Sequence, residues 1–426
     1  MPYIPTIIFV ALLAIFYSLT NKLHFNIRVI LSLVVGIVFG LLLQRYASAS
    51  TMVLTGQAFK LVGDGYLALL KMLVVPLILT SIVFAIVNLG QLSGVTLRKL
   101  SIRSVAMLLG MTAIASAIGM GVGLWFHVGA GLQLPEQLIM PTHPYTDFVD
   151  TLLAMLPSNP VKIMVDENTV AIVLFAVLLG VAALMVIRVD AEKGEAFKAF
   201  MSSAFQVMKK LASIVIALTP YGVLALMANV GMMQGLSALR GEASFIAAMY
   251  VAMALVIVMH LLILMAGGNN PWAYLKRAYA PLVVAFTTRS SLGTLPVTEE
   301  TLRKKFNTKQ VTASFVPGIG ATLGMNACAG VFPAMLVVMA LTILHQPMTL
   351  SMFFMVMFIN AIASLGISGI PGTAFVAATV TLTTLHLPYA VVGLVQGFDP
   401  IIDMGRTATN VNGVMTTAIT VDKQLD

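Results

Sequence analysis

The chain has 426 residues, of which 59% are apolar and 9% charged, and its mean hydropathy is +0.99. Soluble domains carry about 25% charged residues, so a water-covered globule is excluded and the chain belongs in a bilayer. The 24 Lys and Arg exceed the 16 Asp and Glu by 8, yet no basic patch is interleaved with aromatics, so nucleic acid is excluded as a partner and the excess reads as cytoplasmic loops facing lipid headgroups.

Cys328 is the one cysteine, which rules out an internal disulfide framework. No basic stretch precedes the first apolar run, so a cleaved leader is not expected.

In chain order, apolar stretches lie near 4–20, 27–44, 66–91, 102–127, 146–187, 205–235, 244–268, 278–298, 311–343, 350–385 and 388–421. Most reach the ~20 residues that a spanning helix needs. The alternation of a membrane β-barrel is absent. The predicted class is an all-α polytopic membrane protein, with about nine transmembrane helices plus two re-entrant helical hairpins.

Loop charge sets the orientation. Lys22 and Arg28 follow the first stretch, Arg45 and Lys60 the second, and Arg98, Lys99 and Arg103 the third. Residues 128–150 carry only Glu136, Asp147 and Asp150, whereas Arg188, Lys193, Lys198, Lys209 and Lys210 come together. Only Arg240 lies in the 232–244 connection. The positive-inside rule then places the N-terminus outside and the C-terminus in the cytoplasm of a cell with this protein in its inner (plasma) membrane.

Alternation breaks twice. Stretch 278–298 has Lys276 and Arg277 before it and Arg303, Lys304, Lys305 and Lys309 after it, so both ends are cytoplasmic. Its centre, Thr287 to Thr294, is polar and contains glycine, as a re-entrant turn requires. Stretch 350–385 has no Lys or Arg at either flank, and Ser364 to Thr373 break it with three glycines and Pro371. Non-helical backbone at that depth is tolerated only inside protein or beside a water-filled cavity. Two broken segments of opposite orientation point to an inverted repeat with a midplane site.

Between 310 and 421 the only charges are Asp399, Asp403 and Arg406. Intramembrane charge is costly and marks function by default. With Asn410 they are spaced i, i+4, i+7 and i+11 on one helical face, Thr407 beside them. Such a face can bind a zwitterion, Asp403 taking an ammonium and Arg406 a carboxylate through its planar fork. The structural alternative is an Asp–Arg pair locking two helices. Arg289, at the first hairpin's tip, is a candidate partner for one of those carboxylates.

The run from Gly320 to Gly330 interrupts stretch 311–343. Its free carbonyls, with Thr322 and Asn326, could ligate a hard cation, or the glycines could serve a close helix crossing. Lys71 and Lys162 are expected to snorkel. His127, His260, His345 and His386 are expected near segment ends, too scattered for a resident metal. No nucleophile stands beside a base, so an enzyme is not expected, and no cofactor is implied. An ion channel is the remaining alternative of another class; it requires a continuous pore.

The motif Thr288 to Thr298 (TRSSLGTLPVT), the Gly369-Ile370-Pro371-Gly372 turn and Asp403 to Val411 (DMGRTATNV) resemble those of the dicarboxylate/amino acid:cation symporters. Pro157 to Pro160 and Thr219 to Val223 match as well, so the resemblance covers nearly everything after about residue 27. It implies a homotrimer whose mobile transport domains move by an elevator mechanism against a static scaffold.

On that pattern residues 1–26 are an extra N-terminal helix. Residues 27–101 and 128–243 are scaffold, 102–127 is a transport-domain helix and 244–426 is the transport core. Asp403 would hold the substrate ammonium and Asn410 its α-carboxylate. Ser290, Ser291, Met325, Cys328, Ile370, Gly372, Asp399 and Thr407 would complete the pocket, with Arg406 at the distal end. Thr322 and the carbonyls of Ser364, Leu365 and Ile367 would form one cation site.

The departures from the family pattern also inform. Aspartates of the family are here Asn326 and Val414, a substrate-contacting threonine is Cys328, and cation-site positions are Leu108 and Met111. Two sodium sites therefore look dismantled, leaving one sodium or a proton as coupling ion. Within the family this is most similar to the bacterial L-cystine symporters. Cystine offers Arg406 a second carboxylate; aspartate and glutamate would do the same.

Overall fold

The computed structural model describes residues 3–20, 22–90, 95–132, 156–166, 169–234, 236–367 and 374–424, and every regular element among them is helical. Without water to solvate backbone amides, a bilayer segment must bond to itself, which selects helices. Six helical segments are long and apolar enough to span: Ile27–Tyr46, Lys99–Trp125, Ala171–Val189, Ala191–Ala217, Ala243–Ala266 and Asn326–Ile343.

The first helices are α1 (Ile4–Ser18), α2 (Phe25–Tyr46), α3 (Ala49–Met72), α4 (Val74–Gly90) and α5 (Val95–Trp125). The expected stretch 66–91 is in fact two helices, broken at Leu73. Pro76 has no N–H to offer the preceding turn, so the break falls just ahead of it. Lys60, expected in a loop, sits on the exposed face of α3. Then come α6 (Pro160–Val165), α7 (Thr169–Val189), α8 (Ala191–Ala217) and α9 (Thr219–Gln234). Asn159 caps α6, its Oδ1 accepting from the amides of Val161 and Lys162 at 3.0 and 3.1 Å. Lys162 is exposed on this short helix rather than within a span. The stretch 205–235 is also split, at Leu218, by Pro220 in the first turn of α9. The side chains of Lys71, Arg98 and Arg240, and residues 133–155 with Glu136, Asp147 and Asp150, lie outside the described residues.

The crossing of α2 and α9 shows what small residues do in a bilayer. Gly36 and Gly40 form a G-x-x-x-G stripe on α2. A Cβ at Gly40 would stand 2.2 Å from the Ala228 carbonyl oxygen, and one at Gly36 would stand 2.7 Å from that of Leu224. Gly231 answers from α9, 2.8 Å from the Ile37 carbonyl oxygen by the same measure. Lipid tails provide no hydrophobic drive between helices, so contact of backbones supplies the attraction. Gly40→Leu is therefore expected to lower the melting temperature in detergent by several degrees, roughly what ~2 kcal/mol of overpacking costs. Val38→Leu, on the exposed face of the same helix, is the control that should leave it unchanged.

The C-terminal half holds α10 (Leu236–Ala266), α11 (Pro271–Thr288), α12 (Ser291–Phe306) and α13 (Gln310–Gly320), a π-helical turn (Asn326–Val331), α14 (Phe332–Ile343), α15 (Leu350–Ala363), α16 (Ala374–Thr384), α17 (Ala390–Val395) and α18 (Asp399–Lys423). Both expected interruptions are present: α11 and α12 form the first hairpin, and α15 runs into a 3₁₀ turn (Ser364–Gly366). The second hairpin's apex, residues 368–373, lies outside the described residues. Lys276 and Arg277 fall within α11 itself, which starts earlier than expected.

Residues Phe332 to Leu341 of α14 are all buried, as is nearly every residue of α18. These two helices are the centre around which the others pack. His127, His345 and His386 sit just past the ends of α5, α14 and α16 with φ near +50°, a left-handed stop that histidine tolerates better than most. His260 departs from the expectation: it lies well inside α10 and is fully buried.

Candidate functional site

The π-helical turn and α18 meet at the centre of the molecule. A 3₁₀ turn (Gln396–Phe398) leads into α18, and Asp399 is its first residue. A helix N-terminus favours an anion there. Asp403 follows one turn later and Arg406 three residues further. The guanidinium is fully buried and donates through one nitrogen to Asp403 Oδ1 at 3.1 Å and to Asp399 Oδ1. Its Cζ lies 4.3 Å from the centre of the Phe332 ring, a cation–π contact strengthened by the burial of both side chains. Phe332 is itself held edge-on by Phe375 and Phe245.

The expected helical face thus exists, and both ion pairs are internal to α18. The pair that would lock two helices is not what these residues make. Two carboxylates face one guanidinium, a formal excess of one negative charge when both are ionised. Arg406 Nε and Nη1 and Asp403 Oδ2 are buried with no hydrogen-bond partner among the described residues. Such atoms are costly unless a ligand or water completes them.

Asn410, one turn beyond Arg406, faces the turn that starts at Asn326. Its Oδ1 accepts from the amides of Ala327 at 2.8 Å and Cys328 at 3.4 Å, and its Nδ2 donates to Cys328 Sγ at 3.0 Å. These are amides that an interrupted helix leaves without carbonyl partners. The carboxamide keeps one further N–H for another acceptor. Met325, Cys328 and Thr407 are buried around it.

Arg289 closes α11 in a left-handed conformation (φ 55°), and Ser290 caps α12 by accepting from the Gly293 amide at 3.0 Å. Ser291 is buried beside them. Arg289 forms no direct ion pair with a carboxylate of α18 among the described residues, yet it is near enough for its charge to act on Asp403, in line with the expectation. Its guanidinium lies 5.7 Å from the centre of the Phe25 ring, which Arg28 also approaches, at 5.8 Å. Ile370 and Gly372 lie outside the described residues.

The candidate cation ligands fare unequally. The Ser364 carbonyl accepts from the Gly324 amide at 3.2 Å, so the 3₁₀ turn and the unwound stretch do meet. Thr322 Oγ1 donates to the Ile319 carbonyl at 3.1 Å. Ile367 is buried and Leu365 half-buried. Both ends of the Asn326 carboxamide are engaged by protein groups. Its Oδ1 is held by His260 Nε2 at 2.9 Å, while its Nδ2 donates to Thr112 Oγ1 and to the carbonyls of Gly324 and Leu108. Leu108, Met111, Leu323 and Val414 pack into one buried apolar cluster beside it.

Four polar residues of this region carry no marked signal in the sequence: Thr112, Tyr274, Asn360 and Asn412. Asn360 bonds Ser116 at 2.7 Å, Thr381 at 2.5 Å and the Gly330 carbonyl at 3.3 Å, tying α5, α15 and α16 to the π-helical turn. An uncharged amide in an apolar helix carries the same signal as a charge, at lower amplitude.

A buried charge cluster beside a broken helix, in an all-helical multi-pass chain, defines a membrane transport protein. The sequence pattern of the sodium:dicarboxylate symporter family matches residues 25–424, and the chain belongs to that family. Of the described helices, α1 alone lies ahead of the matched span. Among curated relatives, the L-cystine uptake protein TcyP of Bacillus cereus is 36% identical over 433 residues, covering 96% of this chain and 92% of its own. The proteins of the same name from Bacillus licheniformis (35%, 98% and 94% covered) and Shouchella clausii (34%, 96% and 91%) are similar throughout.

Proposed function

We propose that the protein is a secondary-active symporter that imports L-cystine across the cytoplasmic membrane, driven by a sodium or proton gradient. The observation that carries this reading is the α18 triad. A fully buried arginine with unused donors stands beside a carboxylate with an unused acceptor, as a ligand bearing both ammonium and carboxylate requires. The names of the relatives support L-cystine in particular.

In this mechanism Asp403 Oδ2 receives the ammonium of one cystine end. Asn410 donates its remaining N–H to that end's carboxylate, and Arg406 receives the far carboxylate. Ser290, Ser291, Met325, Cys328, Asp399, Thr407, Ile370 and Gly372 line the pocket, closed by the two hairpins. The apolar cluster of Leu108, Met111, Leu323 and Val414 supports a reduced number of sodium sites. Thr322, Ser364, Leu365 and Ile367 are the set that would hold a sodium ion. The transport unit is residues 102–127 and 244–426, moving elevator-fashion against residues 27–101 and 128–243 in a homotrimer. The N-terminus is outside and the C-terminus cytoplasmic.

The test is uptake of labelled L-cystine into proteoliposomes under an imposed sodium gradient and, separately, an imposed proton gradient. Saturable, stereospecific uptake driven by one of them is expected. Uptake of L-aspartate or L-glutamate alone would replace the substrate, and flux that no amino acid saturates would replace symport by a channel.

A further inference from the structure

Among the buried titratable groups that the transport reading leaves unused, His260 is fully buried and hydrogen-bonded on both ring nitrogens. It sits in the interior of α10, between the π-helical turn and α18. Its Nε2 lies 2.9 Å from Asn326 Oδ1 and its Nδ1 lies 3.0 Å from Asn412 Nδ2. Tyr274 of α11 donates its hydroxyl to Asn412 Oδ1 at 2.7 Å and also lies 3.5 Å from the Asn412 carbonyl oxygen.

Directions can be assigned around this chain. Tyr274 donates to Asn412 Oδ1, which fixes Asn412 Nδ2 as donor toward His260. Nδ1 is then an acceptor, and Nε2 bears the proton that Asn326 Oδ1 receives. Asn326 passes the chain on by donating to Thr112 and two carbonyls. The neutral imidazole is fully satisfied.

The same residues satisfy the protonated ring after one move. A half-turn of the Asn412 carboxamide presents Oδ1 to a new Nδ1–H and Nδ2 to the Tyr274 oxygen. The Tyr274 hydroxyl then turns to the Asn412 carbonyl oxygen 3.5 Å away, displacing the Thr416 hydroxyl, which donates to that oxygen at 2.9 Å, or sharing the oxygen with it. Nε2–H···Oδ1 of Asn326 is kept and becomes charge-assisted.

We propose that His260 Nδ1 is the binding site of the coupling proton, with Asn412 and Tyr274 as the hydrogen-bond switch that accommodates it; this rests on the symporter reading above. The bond formed is Nδ1–H, with the proton drawn from the aqueous side of higher proton activity and returned on the other. Protonation strengthens the grip on Asn326, whose turn supplies the Ala327 and Cys328 amides that position Asn410. Proton and substrate sites are thereby joined through the π-helical turn and through α18, which carries both Asn410 and Asn412.

The surroundings are apolar or neutral. The groups that face the ring are Asn326 of the turn and Asn412 and Gly413 of α18, with Tyr274 of α11 and Thr112 of α5 one bond further. The charged residues of α18 are Asp399, Asp403 and Arg406 toward its start and Asp422 and Lys423 at its end. Those of α5 (Arg98, Lys99, Arg103) are near its start, as are Lys276 and Arg277 on α11 and Arg240 and Glu242 on α10. Among the described residues none forms an ion pair with His260.

The experiment is the pH dependence of L-cystine binding by calorimetry on the solubilised protein, with proton-driven uptake in proteoliposomes beside it. One linked proton changes affinity by up to about tenfold per pH unit. The wild type is expected to lose about tenfold or more in affinity between pH 6 and pH 8. His260→Gln keeps a donor toward Asn326 but cannot titrate. It should bind with less than about twofold change over that range and exchange L-cystine across the membrane without response to a proton gradient. An unchanged pH profile in His260→Gln, or wild-type uptake driven by sodium and indifferent to pH, overturns the proposal.

If the variant does not fold, the infrared difference spectrum of histidine-labelled wild type on adding L-cystine decides. Imidazolium bands appearing support it, and their absence overturns it. Failure of L-cystine to bind at any pH overturns the substrate instead, and the same comparison run with L-aspartate then decides the role of His260.

Discussion

Arg406→Ala is expected to reduce L-cystine uptake by about two to three orders of magnitude and to erase the preference for L-cystine over L-alanine. The guanidinium is the only positive charge that pairs with Asp399 and Asp403 among the described residues. Removing it leaves two buried carboxylates within a turn of each other. Breaking one side of a buried ion pair costs about 3–5 kcal/mol, and each 1.4 kcal/mol is tenfold in affinity. One carboxylate would take a proton to relieve the repulsion, abolishing the site's ability to receive a second carboxylate end. Arg406→Lys separates charge from shape. A lysine keeps the charge but lacks the planar fork and the stacking face, so it should recover part of the uptake and little of the selectivity. Competition of labelled L-cystine uptake by unlabelled L-alanine is the readout. Selectivity unchanged in Arg406→Ala would remove the residue from the distal end of the substrate.

Asp403→Asn is expected to abolish uptake with the protein still folded. Asp399 continues to neutralise Arg406, so the core retains one ion pair and the helix stays buried without an unpaired charge. What is lost is the negative excess of the triad, and with it the attraction for an ammonium group. An amide offers that ammonium a neutral oxygen, and a charged hydrogen bond is roughly twice as strong as a neutral one. A single symmetric peak in size-exclusion chromatography, combined with loss of L-cystine binding by calorimetry, is the expected pair of results. Binding retained within about threefold would place the ammonium elsewhere, since that is under 1 kcal/mol.

Much of this arrangement is legible in the sequence because charge is so rare in it. Lys and Arg at both flanks of 278–298 mark a hairpin that enters and leaves on one side, and α11 and α12 turn at Arg289 as that pattern requires. The glycines between 320 and 330 mark the unwinding that separates α13 from α14. The spacing of Asp399, Asp403 and Arg406 gives the shared face directly, and the full span of the family match bears out the resemblance read from the same motifs.

Part of what the sequence conceals has a common cause. Soluble helices end in polar turns, but a helix break inside a bilayer can be wholly apolar, so those at Leu73 and Leu218 merge into the runs around them. Lys60 reads as a loop residue for the opposite reason: the first half of α3 is too polar to register as part of an apolar run. The orientation of an all-apolar helix cannot be read from its pattern either. His260 therefore gave no sign that it faces inward, and its partners Asn326 and Asn412 are 66 and 152 residues away. Arg289 is legible only in part: Arg406 makes the direct ion pairs from within the same helix, while the hairpin arginine lies over an aromatic ring and reaches Asp403 through charge alone.

That all three charges of the triad belong to one helix has a mechanical consequence. Salt bridges between helices act as latches, and sliding one helix past another must first open them. Here any displacement of α18 keeps the distances among Asp399, Asp403 and Arg406 fixed by the helix itself, and what must give way includes the neutral contacts through Asn410 and Asn412. The electrostatic self-energy of the cluster travels with it almost unchanged. The ion pairs inside α18 therefore set no ratchet on the motion of the helix that bears them.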